Sequence, residues 1–132
     1  MIRVLAVALT LLLLAASDAM ACTLAATRTP RQRVHAAKLA VYVEVVSART
    51  LETTADGVST WEATVRRLKT FKGRPAAVFR VRSETDRRGG CHLSMFQSGE
   101  RVGLLLDGPG PPFHIGLGST ITLSELRRAR RH

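Results

Sequence analysis

The chain has 132 residues, 20 of them lysine or arginine against 10 acids, for a net charge of +10, and only two cysteines. That length suits one domain with a single core, and no internal repeat or second domain is visible. The cysteine count allows one intramolecular pairing, and the charge directs attention to polyanions such as nucleic acid, anionic lipid or acidic glycans.

Arg3 gives a positive start, Val4 to Ala16 is apolar apart from Thr10, and Ala19-Met20-Ala21 is a small-x-small cleavage pattern just before Cys22. This is the layout of a secretory signal peptide over residues 1–21. The apolar run falls short of the ~20 residues that a membrane-spanning helix needs. The mature protein is therefore expected in the periplasm or outside the cell, where thiols oxidise, and Cys22 is expected to pair with Cys91. Such a bond closes a loop of about 70 residues, worth ~4 kcal/mol in the chain-entropy model, and ties the new N-terminus to the domain. The alternative fate of Cys22 is acylation as in a lipoprotein, the one route by which the chain would attach to a membrane. Ala19 stands where that signature has Leu, Val or Ile, and acylation would leave Cys91 an odd thiol.

Thr29-Pro30 reads as an N-cap followed by Pro at the first helical position, opening a short helix through Val34, Ala36 and Ala37. Arg28, Arg31 and Arg33 near its start oppose the helix dipole, so the helix needs packing or tethering. Leu39 to Val46 alternates as a strand, with Leu39, Val41, Val43 and Val45 on one face. Arg49 to Ser59 is polar and reads as a long hairpin connection turning at Asp56-Gly57. Thr60 to Phe71 is a second strand, with Trp61, Ala63, Val65, Arg67, Lys69 and Phe71 on one face. Its apolar side changes near Arg67-Leu68, as at a bend or bulge.

Ala76 to Ser83 is a third strand, with Phe79 and Val81 inward and Arg80 and Arg82 outward. Cys91, Leu93 and Met95 suit a short extended piece, Arg101 to Leu106 an apolar strand, and Phe113 to Ile115 a short further strand. Ser124-Glu125 reads as the cap of a last helix, Leu126 to Arg131, whose arginine density equally suits a frayed tail. About five mostly antiparallel strands with short flanking helices predict a mainly β fold, a small OB-like Greek-key barrel. The expected boundaries are a leader at 1–21, the barrel domain at 22–126 and a basic tail at 127–132.

Catalytic chemistry is not written in this pattern. The histidines, His35, His92, His114 and His132, have no metal-ligand spacing, so no metal or other cofactor is expected. Cys91-His92 resembles a nucleophile and base, but neighbours on a strand point to opposite faces and an oxidised cysteine is no nucleophile. Glu100 and Asp107 flank a strand as solvated charges. The aromatic residues sit at core-like positions, which disfavours a single-strand nucleic-acid binder, and export disfavours a genome-binding role.

Four features, in order and covering nearly the whole mature chain, resemble the netrin-like, tissue-inhibitor-of-metalloproteinases-like family. They are Cys22-Thr23 as the first mature residues, and the helical segment Pro30-Arg31-Gln32 before the first strand. The others are the strand Val65 to Gly73 ending in Phe71-Lys72-Gly73, and Gly90-Cys91 followed by Phe96, Gly99-Glu100-Arg101 and Val102 to Leu106. The resemblance implies an OB-type barrel. It also implies that the Cys22 α-amine and carbonyl oxygen chelate the zinc of a metalloprotease while Thr23 enters its specificity pocket. Leu24 stands where the animal inhibitors carry a second cysteine, so the inhibitory ridge would have fewer staples.

Two non-enzymatic expectations follow. One is a secreted metalloprotease inhibitor acting through Cys22 and Thr23. The other is an envelope or surface module that binds anionic polymers through Arg66, Arg67, Arg80, Arg82, Arg87 and Arg88.

Overall fold

The computed structural model of the protein describes residues 28–86 and 92–131. The expected leader at 1–21, Cys22, Thr23, Arg87, Arg88 and Cys91 lie outside the described residues, and so does the expected Cys22–Cys91 bond. Six strands make one sheet: β1 Leu39–Thr53, β2 Val58–Lys72, β3 Val78–Asp86, β4 Arg101–Leu106, β5 Phe113–His114 and β6 Thr120–Ile121. Their spatial order is β5-β3-β2-β1-β4-β6. β1 to β3 form an antiparallel meander and β4 returns to lie beside β1, which is a Greek key. β5 adds to β3 in parallel, and β6 adds to β4 antiparallel.

The sheet curls into a half-barrel, so the protein has the mainly β, barrel-like fold with short helices that its sequence implies. This arrangement is compatible with an OB-type barrel. The strand beyond the expected set is β6, two residues long and too short to display a period of two.

Alternation decides what fills the curl. Val41, Val43 and Val45 of β1, Trp61, Ala63 and Val65 of β2, and Phe79 and Val81 of β3 form the main core with Leu104 and Leu106 of β4. Phe96 and Ile115 come from loops to complete it. Phe96 meets Trp61 edge-on at 5.1 Å between ring centroids, a favourable aromatic geometry. The stretch His92–Gln97, expected to be extended, has no regular secondary structure. It is held by side chains, with Phe96 and Leu93 packed on the core and the Leu93 carbonyl accepting from Thr85 Oγ1 at 3.1 Å.

Both long strands continue well past their expected ends. Arg49 to Thr53 and Val58 to Ser59 are paired strand, and the connection shrinks to a tight turn. In it Gly57 N–H donates to the Thr54 carbonyl at 3.0 Å, and Gly57 takes the positive φ of 88° that favours glycine. The stretch reads as a loop because both sides of this arm meet water, which erases the apolar alternation. β4 covers β1 only from Leu39 to Glu44, so beyond the short contacts of Val45 and Val46 with the Ser98–Glu100 turn β1 has β2 as its paired strand.

The β1–β2 register slips by one residue at Val46, Leu51, Leu68 and Phe71. A bulged residue leaves the pleat, and Val46, Leu51 and Leu68 are among the few large exposed hydrophobic residues. The slip at Leu68 is the change of side expected near Arg67-Leu68. It corrects the face of two residues. Lys69 pairs with Tyr42 on the outer side, and Phe71 packs away from the Trp61 side.

Two helices cover the outer side of one end of the sheet. α1, Pro30–Ala36, is capped by Thr29, with Gln32 completing a capping box. The unfavourable charge near its start is offset by tethers: Arg33 donates to the carbonyls of Gly118 at 3.2 Å and Thr120 at 2.5 Å. Lys72 Nζ satisfies the Val34 and His35 carbonyls at 3.3 and 2.7 Å. α2, Leu123–Arg130, is capped by Thr122 with Glu125 at N3, and not by Ser124. It therefore runs through residues assigned by sequence to a tail, anchored by the buried Leu126 in a second cluster with Ala37, Ala40, Leu105 and Ile121. Among the described residues, no helix is long and apolar enough to cross a membrane.

Candidate functional site

The outer face of β1 to β4 carries a lattice of opposite charges written by strand register. In one row, Arg49 of β1 and Arg82 of β3 lie directly across from Glu62 of β2. In a second row, Arg101 of β4 and Arg66 of β2 lie directly across from Glu44 of β1. Each row is therefore Arg–Glu–Arg across three adjacent strands, the pairing that most favours cross-strand ionic contact.

Glu62 is the buried centre, with 4% of its surface exposed. Arg82 Nε donates to Glu62 Oε2 at 2.7 Å, while Arg49 Nη2 and Arg80 Nη1 lie 3.7 and 3.8 Å from Oε1. The hydrogen bond from Arg82 holds the Glu62 carboxyl below its ordinary value of 4.5, opposed by burial and assisted by the charges of Arg82, Arg80 and Arg49. Glu44 accepts from Arg66 Nη2 and, at 3.3 Å, from Arg101 Nε. Five guanidiniums over two carboxylates leave an excess of three positive charges on this face. The guanidiniums are half-exposed with donors left over, since each has five and the carboxylates engage few of them.

Of the arginines singled out from sequence, Arg66, Arg80 and Arg82 share this face. Arg67 does not: it pairs opposite Val43 on the inner side, and its Nη1 donates to the Pro75 carbonyl at 2.8 Å. Charge alone groups it with the others, and strand parity separates it. Arg87 and Arg88 lie outside the described residues. Sequence reasoning misses Arg49 and Arg101 and both glutamates, because their partners come from other strands and meet only through register.

The remaining chemistry is sparse. Glu100 and Asp107 are each engaged with a backbone amide. Glu100 Oε2 accepts from Gln97 N–H, closing a local turn, and Asp107 Oδ1 accepts from Lys38 N–H, tying the start of β1 to the end of β4, both at 3.0 Å. Trp61, Phe79 and Phe96 are buried, so the arginine face has no aromatic platform among them. Among the described residues, no three His, Cys, Asp or Glu side chains gather closely enough to hold a metal ion. No protein-family model and no curated protein matches the sequence.

Proposed function

We propose that the protein is a non-enzymatic binding domain that takes anionic polymers of the cell envelope or extracellular space on its arginine face. The observation that supports this most is the paired Arg–Glu–Arg rows. A pleated sheet repeats side chains at fixed intervals of about 7 Å along a strand and about 5 Å between strands. Buttressed arginines on such a grid meet a chain of repeating phosphate, sulfate or carboxylate groups with little side-chain entropy left to lose. Glutamates hold the guanidiniums in place, yet the face keeps its positive excess. Arginine is suited to this because its planar fork accepts an anion side-on while another donor stays on the buttressing carboxylate.

Titration with a sulfated glycan and with its unsulfated counterpart tests the reading. Affinity for the sulfated polymer falls steeply as salt rises, and the combined change R66Q/R80Q/R101Q lowers it by about tenfold or more. Binding that ignores salt, or that the triple variant leaves intact, overturns it. The metalloprotease-inhibitor reading rests on Cys22 and Thr23, outside the described residues, and the arginine face lends it no support.

A further inference from the structure

Next to the Glu44 row on the outer side, where the helices cover the sheet, lie cations of another kind, with Lys69 opposite Tyr42 one rung from Arg66 opposite Glu44. A groove of about 560 Å³ runs between α1 and α2 over the end of β2. Its apolar lining is Val34, Phe71 and Ala129, and its polar lining includes Arg31, His35 and Lys72. Past Arg31 and Ala129 it continues into a hollow of about 280 Å³ beside Pro30 and Arg128. Lys69 Nζ and Arg130 Cζ flank the Phe71 ring at 5.3 and 5.8 Å from its centroid.

On the sheet, arginines are matched to glutamates. Here Arg31, Lys69, Lys72 and Arg130 have no ion-pair partner among the described residues. Glu125, the acid on α2, is engaged by the Thr122 cap and lies 3.8 Å from Arg33 Nη1. Lys72 is fixed by its two helix carbonyls, which places an immobilised ammonium beside the groove. For the cations beside Phe71, the ring is a weak counterpart in the absence of an anion.

We propose that this groove binds a single anionic amphiphile, with a phosphate or carboxylate headgroup among the cations and an apolar stem along Val34, Phe71 and Ala129. The volume falls in the range of small-molecule sites, which combine an apolar lining with a few placed charges. Two other occupants fit less well on charge. Residues 22–27, just before α1, contain no acid, and a second copy of the chain brings +10 against a cationic groove. The site shares no residue with the Arg–Glu–Arg rows, although Lys69 lies one rung from Arg66, and the two proposals are read by different residues and different probes.

Heteronuclear NMR of the isotope-labelled protein decides the matter, with dihexanoyl phosphatidate below its micelle concentration as the probe. Parallel titrations use inorganic phosphate, dihexanoyl phosphatidylcholine and vesicles containing phosphatidate. The expected result is saturable shifts at Val34, Phe71 and Ala129, with affinity about tenfold or more above that for inorganic phosphate and no saturation by the choline lipid. K69Q/R130Q changes only surface side chains and should weaken phosphatidate binding by about tenfold while leaving distant resonances unmoved. Equal affinity for inorganic phosphate, shifts confined to the sheet arginines, saturation by vesicles alone, or an unaffected K69Q/R130Q protein would each overturn the proposal.

Discussion

Glu62 joins stability to the character of the arginine face. Its carboxylate is buried and charged because Arg82, Arg80 and Arg49 converge on it. Its folded-state carboxyl titrates below the ordinary 4.5, so the ionised form stabilises the fold above that value. The contribution fades as pH falls through the lower, folded-state value. Glu62→Gln should therefore cost about 1–3 kcal/mol at neutral pH and show a flatter loss of stability on acidification than the parent. Urea unfolding from about pH 6 down to about pH 3 reads both effects, and a parallel decline in the two proteins would contradict the assignment. Of this constellation, the sequence shows the outward arginines Arg80 and Arg82 through simple alternation. Glu62 hides because a single acid in a basic strand looks solvated until the neighbouring strands are aligned beside it.

At the scale of elements, Gly103 shows how tightly α2 and β6 sit on the sheet. A Cβ there would overlap the Ile121 carbonyl oxygen and the side chains of Ile121 and Leu126. Gly103→Val should displace α2 and destabilise the protein by about 1–3 kcal/mol. Faster amide exchange across α2 than across β1 would locate that damage, and uniform exchange would show the helix is not a separate unit. Gly73 has an equally local reason, a φ of +77° where β2 ends against Lys38 and Leu39. These constraints explain what could be read in advance. Thr29-Pro30 announces α1 through chemistry confined to neighbouring residues. The true cap of α2 is distinguished by a local signal, since Glu125 stands three residues after Thr122 and completes a capping box, whereas Ser124 has Arg127 at that position. The hairpin arm is missed because a strand with two wetted faces carries no hydrophobic period.

Over the whole molecule, two surfaces of different design carry part of the strong positive charge. The sheet presents arginines oriented by carboxylates, and the helical end presents cations around an apolar groove. The first suits a repeating polymer and the second a single headgroup. The mainly β class and the curl of the sheet follow from the alternating valines and from the bend near Leu68. How far the curl goes does not, since the half-barrel depends on Phe96 and Ile115 arriving from loops without periodicity.

The outer half of β1 offers one last consequence. From Ser47 to Thr53 its backbone has β2 on one side, and no other described strand pairs with it. An open strand rim invites pairing with another molecule unless something prevents approach. Arg49, the slip at Leu51 and the mutual repulsion of like-charged molecules all stand in the way. An acidic polymer that quenches this repulsion would remove the chief barrier, so light scattering should rise sharply near charge equivalence and subside when polymer is in excess. Arg49→Glu, which inverts a charge beside that rim, should move the point of maximum turbidity to a lower polymer ratio, and an unchanged ratio would show that the rim's local charge has no part in it.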